Sequence, residues 1–129
     1  MILYCAADLL WASKIKGTAD ALGLPCRPAR NPDMLAARLG DSPVRSLIVD
    51  LEAEHAFALI AAARAADASR TTPVRILAFG PHVMVEALRN AKAQGADTVM
   101  ARGAFAARLP SILQDLSAAA SALADDLHE

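Results

Sequence analysis

Five times along this chain a short apolar run is followed by a segment whose apolar residues recur every third or fourth position, and this alternation constrains the fold most. The runs are Ile2 to Ala7, Leu24 to Ala29, Val44 to Asp50, Pro73 to Phe79 and Thr98 to Ala101. They are nearly continuous in hydrophobicity, which fits strands covered by helices on both faces and so a parallel sheet. The second run carries Pro25 and Pro28, which cannot donate to a strand ladder, so it belongs at a sheet edge. Right-handed crossovers with that strand at the edge predict the order 2-1-3-4-5 in a three-layer α/β/α sandwich.

The helical segments carry their own punctuation. Asp8 can cap a first helix that begins at Leu9 and runs to about Leu22, closed by Gly23. Asn31-Pro32-Asp33 starts a second helix to about Leu39, ended by Gly40, with an acceptor at the cap, a proline preset for the first turn and an acid favoured by the helix dipole. A third helix is expected from about Ala53 to Ala68 and a fourth from about Val83 to Gln94. The last lies between about Ala106 and Leu127, with Pro110 in its first turn or marking its true start, and an apolar stripe from Leu113 to Leu127. All 129 residues fit one domain.

Composition excludes several classes. Net charge is −1 and there is no Lys/Arg run, so no nucleic-acid footprint is expected. No run approaches the length needed to span a bilayer, and the apolar start lacks the basic flank of a signal peptide, which makes the cytoplasm the expected compartment. Cys5 and Cys26 show no metal-site spacing. No Gly-x-Ser-x-Gly elbow or His-x-x-x-His pair is present, and neither is the Asp-x-His-x-x-Gly pattern of cobalamin-binding domains.

In such sheets, chemistry collects beyond the carboxyl ends of the strands. The candidates there are Asp8, Asp50, His82 and Arg102. Asp8 is explained by helix capping alone. Asp50 either caps helix three, pairs with Arg102 or carries chemistry. Arg102 can partner Asp50 or bind an outside anion, its planar fork suiting carboxylate or phosphate. His82 is a base, ligand or pH sensor, or simply a solvated loop residue. His55 and His128 read as surface residues, and Trp11 as a partner contact or a side chain packed on the sheet.

Ser46-Leu47-Ile48-Val49-Asp50-Leu51-Glu52 resembles the segment in which bacterial response-regulator receivers (CheY-like domains) carry their phospho-accepting aspartate. Ile2-Leu3-Tyr4-Cys5 resembles their first strand, Pro73-Val74-Arg75-Ile76-Leu77 their fourth, and Gly95 to Arg102 their Gly-Ala-Asp-x-Tyr-Leu-x-Lys segment. The resemblance covers nearly the whole chain and implies a flavodoxin-like receiver fold. It also implies a phosphorylation site made of an acidic pair for Mg²⁺, an attacking aspartate, a hydroxyl after strand four and a lysine after strand five. Here those positions align with Ala6 and Ala7, Asp50, Ala78 and Arg102, the last followed by Gly103 in place of proline.

Without the two carboxylates, a Mg²⁺ site made from Asp8 and Asp50 is weak. The expected function is therefore a stand-alone pseudo-receiver, a non-enzymatic signalling or scaffold module of two-component type that requires no cofactor. Its partner is another protein or a second copy, met through helix four, strand five and helix five, where receivers commonly dimerise. Two alternatives stand beside it: a phosphorylatable single-domain response regulator using Asp50 and a reduced Mg²⁺ site, and a small-ligand or anion-binding domain using Arg102 and His82.

Overall fold

The computed structural model describes residues 1–118. Five parallel strands, β1 (Ile2–Cys5), β2 (Cys26–Pro28), β3 (Ser46–Asp50), β4 (Arg75–Gly80) and β5 (Thr98–Ala101), form one sheet in the order β2-β1-β3-β4-β5. The helices between them are α1 (Leu9–Ala21), α2 (Pro32–Asp41), α3 (Ala56–Ala66), α4 (Val85–Gln94), α5 (Arg102–Ala107) and α6 (Leu109–Ser117). A short 3-10 turn, Asp67–Ser69, follows α3. The flavodoxin-like sandwich, its strand order and the proline-bearing edge strand are all as the alternation predicts.

Strand side chains alternate between faces, which divides the core in two. Leu3, Cys5, Leu47, Val49, Ile76 and Ala78 pack with Leu35, Leu59 and Ala91 on the α2–α3–α4 side. Ile2, Tyr4, Ile48, Leu77 and Phe79 pack with Ile15, Phe105, Ile112 and Leu113 on the α1, α5 and α6 side. Buried Ser46 donates its hydroxyl proton to the Leu116 carbonyl, fastening α6 to the start of β3.

Helix four starts at Val85, two residues later than expected, and three further boundaries differ for physical reasons. Helix two continues through Gly40 to Asp41, because the chain leaves it at an extended Ser42 and needs no left-handed glycine. Helix three begins at Ala56, because Asp50 first draws the chain into a turn: its carbonyl accepts from Ala53 N at 2.9 Å and its carboxylate from Glu52 N at 3.0 Å. The last helix is two helices broken at Arg108, since Pro110 cannot donate to Ala106 and fits only the first turn of α6.

Leu113 and Leu116, the described part of the apolar stripe, are buried in the core against the sheet together with Leu109 and Ile112. The remainder of the stripe, Ala120, Leu123 and Leu127, lies outside the described residues. Among the described residues no helix is long and apolar enough to cross a membrane.

Candidate functional site

Asp50 ends β3 and is 1% exposed. Burying an ionised carboxylate is costly unless donors surround it. Two backbone amides supply them: Ala7 N donates to Oδ2 at 2.9 Å, and Glu52 N donates to Oδ1 at 3.0 Å. One carboxylate therefore ties the loop after β1 to the loop after β3. Burial pushes the nearby Cys5 thiol up, and the negative charge of Asp50 adds to that shift.

Ala6 and Ala7 bring only methyl groups to the loop after β1. Asp8 is exposed and caps α1, its Oδ1 accepting from Trp11 N at 2.9 Å. The strand register shows which β4 residues stand beside the end of β3. Ala78 stands opposite Val49, whereas the residue opposite Asp50 is Phe79. Phe79 stacks on Phe105 with centroids 4.1 Å apart, and Trp11 closes the cluster at 5.4 Å from Phe79. Trp11 is thus a packing residue on the sheet, with Lys14 Nζ 5.3 Å from its ring.

Arg102 does not hydrogen-bond to Asp50. As the first residue of α5 it donates to Glu52 Oε1 at 2.7 Å, in a half-exposed ion pair. Asp50 and Arg102 both connect with the loop after β3, the first through the Glu52 amide and the second through its carboxylate. His82 lies exposed in the turn after β4 with no hydrogen bond among the described residues. The helix-three cap is His55 by position, without a side-chain bond, so Asp50 shapes the approach to α3 without being its cap residue.

Mg²⁺ takes oxygen ligands in near-octahedral placement. The Asp8 and Asp50 oxygens that hydrogen-bond are turned to amide protons, and no group of three or more acidic, His or Cys side chains converges among the described residues. This donor set does not fit the ion. Glu52 and the Ala7 amide are the partners that residue spacing alone misses. Glu52 stands two residues beyond Asp50, but nothing in a linear pattern pairs it with a residue 50 positions away.

No protein-family model matches the sequence, and no curated protein matches it. The likeness lies in three dimensions. The receiver domain of NtrX from Brucella abortus superposes with a TM-score of 0.72 at 19% identity, covering 90% of this chain and 97% of that one. This chain has a receiver fold. A longer NtrX structure, in complex with ADP, matches with a TM-score of 0.72 at 18% identity over 89% of this chain, which spans 25% of that protein's length. A response regulator from Burkholderia pseudomallei, with a phosphorylated aspartic acid, a calcium ion and citrate, matches with a TM-score of 0.66 at 24% identity, over 97% of this chain and 71% of that one.

Proposed function

We propose that this chain is a pseudo-receiver: a signalling or scaffold module that acts by protein contact, without enzymatic activity and without efficient phosphorylation of Asp50. The observation that carries the reading is the state of the Asp50 carboxylate, buried and holding one backbone amide on each oxygen. An attacking carboxylate must reach the phosphoryl donor through a lone pair that no amide holds, which burial to 1% exposure hinders, and needs a cation to neutralise the transferred group. The side chains of Ala6, Ala7 and Ala78, at the positions that the resemblance aligns with the acidic pair and the hydroxyl, and of Phe79 opposite Asp50 supply neither a carboxylate nor a hydroxyl.

The surface supports contact as the mode of action. Leu9, Leu10, Val83 and Val85 are each more than half exposed, and all four lie on segments that follow the carboxyl ends of β1 and β4. An apolar rim in place of a charged site suits a protein partner. Val85 begins α4, so the rim joins the face of α4, β5 and the last helical segment, split here into α5 and α6, that we propose for self-association or partner binding. The two free, buried thiols suit a reducing compartment such as the cytoplasm.

Incubation with Mg²⁺ and acetyl phosphate, followed by intact mass measurement, tests the reading. The expected result is an unmodified mass. A stoichiometric phosphoryl adduct that Asp50→Asn abolishes would instead establish a phosphorylatable regulator. Light scattering over a concentration series tests the contact face, with Val85→Asp as the variant expected to reduce association; a monomer throughout would remove self-association.

A further inference from the structure

At the end of the sheet opposite Asp50, beside the amino ends of β3, β4 and β5, lies a groove of about 610 Å³ lined by Arg45, Arg70 and Arg75. Two of these arginines are held in place by neutral acceptors. Arg70 donates to the Val44 carbonyl at 2.6 Å and the Thr72 carbonyl at 3.3 Å, and Arg75 donates to the Asp115 carbonyl at 2.6 Å. Such bonds orient a guanidinium and leave its charge uncancelled. Among the described residues no carboxylate forms an ion pair with any of the three.

Asp97 also lines the groove, but its Oδ2 accepts from Arg64 Nη2 at 2.7 Å and from Ile76 N at 2.8 Å. It is committed to the fold. Val44, Pro73 and Val74 add an apolar wall, so the ligand that fits combines carboxylates with apolar side chains. The groove has a further boundary: Ala118, the last described residue, is part of its lining.

Beyond Ala118 the sequence continues Ala119 to Glu129, with Asp125, Asp126 and Glu129 interleaved with Leu123 and Leu127. Asp125 lies seven positions beyond Ala118, a reach of about 23 Å when extended, which suffices to enter a groove that begins at Ala118. We propose that the arginine groove is the docking site of this chain's own C-terminal segment, residues 119–129, bound through its carboxylates and leucines. Covalent attachment puts the segment at an effective concentration on the order of millimolar, so a modest intrinsic affinity keeps the groove filled. Neutralising the segment then frees the groove for an acidic peptide from elsewhere. The proposal is independent of what Asp50 does.

The test uses the full chain and a fluorescent synthetic peptide of residues 119–129. In the variant Asp125→Asn, Asp126→Asn, Glu129→Gln the groove is unoccupied, and the peptide is expected to bind it at least about tenfold more tightly than it binds the natural chain. Adding Arg45→Glu to that variant should abolish the binding. Arg45 is exposed and its side chain makes no hydrogen bond among the described residues, so this change leaves the fold intact, as circular dichroism would verify. Binding to neither chain, or equally to both, overturns the proposal. So does a mass by light scattering that rises with concentration for the natural chain alone, since the segment would then occupy the groove of a second copy.

Discussion

The amide of Ala7 donates to Asp50 Oδ2 across 2.9 Å, in the loop where a phosphorylatable receiver would bring acidic side chains toward its aspartate. The carboxylate thus serves as an internal anchor between two loops. Asp50→Ala leaves the amides of Ala7 and Glu52 without their acceptor and should cost about 3 kcal/mol of stability, with Asp50→Asn costing about half of that because one oxygen remains. Urea unfolding measures both. A loss below about 0.5 kcal/mol for Asp50→Ala would show that the anchor carries no weight.

Arg64 donates four hydrogen bonds among the described residues. It reaches the Gly95 and Val74 carbonyls at 2.8 Å each, Asp67 at 2.8 Å and Asp97 at 2.7 Å, joining α3 to the starts of β4 and β5. Arg64→Ala should destabilise by about 2–3 kcal/mol, and Arg64→Lys should restore less than half, because an ammonium cannot reproduce the planar fork. Gly95→Ala should also destabilise: its φ of 123° is left-handed, and the new Cβ would stand 2.9 Å from Arg64 Cγ. Thermal unfolding of the three variants would rank them.

Trp11 is the sole tryptophan and packs beside Phe79 and Phe105, at 5.4 Å and 6.0 Å between centroids. Its emission should shift to the red on unfolding, in step with the loss of circular dichroism. Trp11→Ala should cost about 3 kcal/mol, the lower end for truncating a packed aromatic, since the ring is only partly buried. Separate transitions by the two probes would mean that α1 detaches before the sheet melts.

The Arg102–Glu52 pair is half-exposed on both sides, so solvent screens it. Glu52→Gln should change stability by under about 1 kcal/mol and lose that effect in high salt. A larger, salt-independent loss would assign the pair a structural role that its exposure does not suggest.

Burial raises the Cys26 thiol to about 11, above its ordinary value of 9.0. The folded state therefore holds its proton where the unfolded chain releases it, and stability should fall as pH rises between about 9 and about 11. Denaturant midpoints across that range check this, with Cys26→Ala expected to flatten the decline. A midpoint that rises with pH would reverse the sign and contradict the burial.

The alternation of apolar runs and helical segments, with Pro25 and Pro28 in the second run, was enough to read the five-stranded parallel sheet, its order and the position of Asp50 at a strand end. These are local matters: hydrophobic period, proline's missing donor and the connection rules act over a few residues. Asp8 as a cap was legible for the same reason, because its acceptor and the Trp11 amide lie three residues apart. What Asp50 touches was not legible. Its donor Ala7 is 43 positions away and contributes a backbone amide that any residue but proline would offer. Only the strand register put Phe79, and not Ala78, opposite Asp50. Likewise the sequence offered Asp50 as a partner for Arg102, and only the structure paired Arg102 with Glu52 and left Asp50 to the amides. Sequence determined where the aspartate stands; the tertiary fold decided that its charge is met by backbone hydrogen bonds, because burial demands donors and the loops supplied the nearest ones.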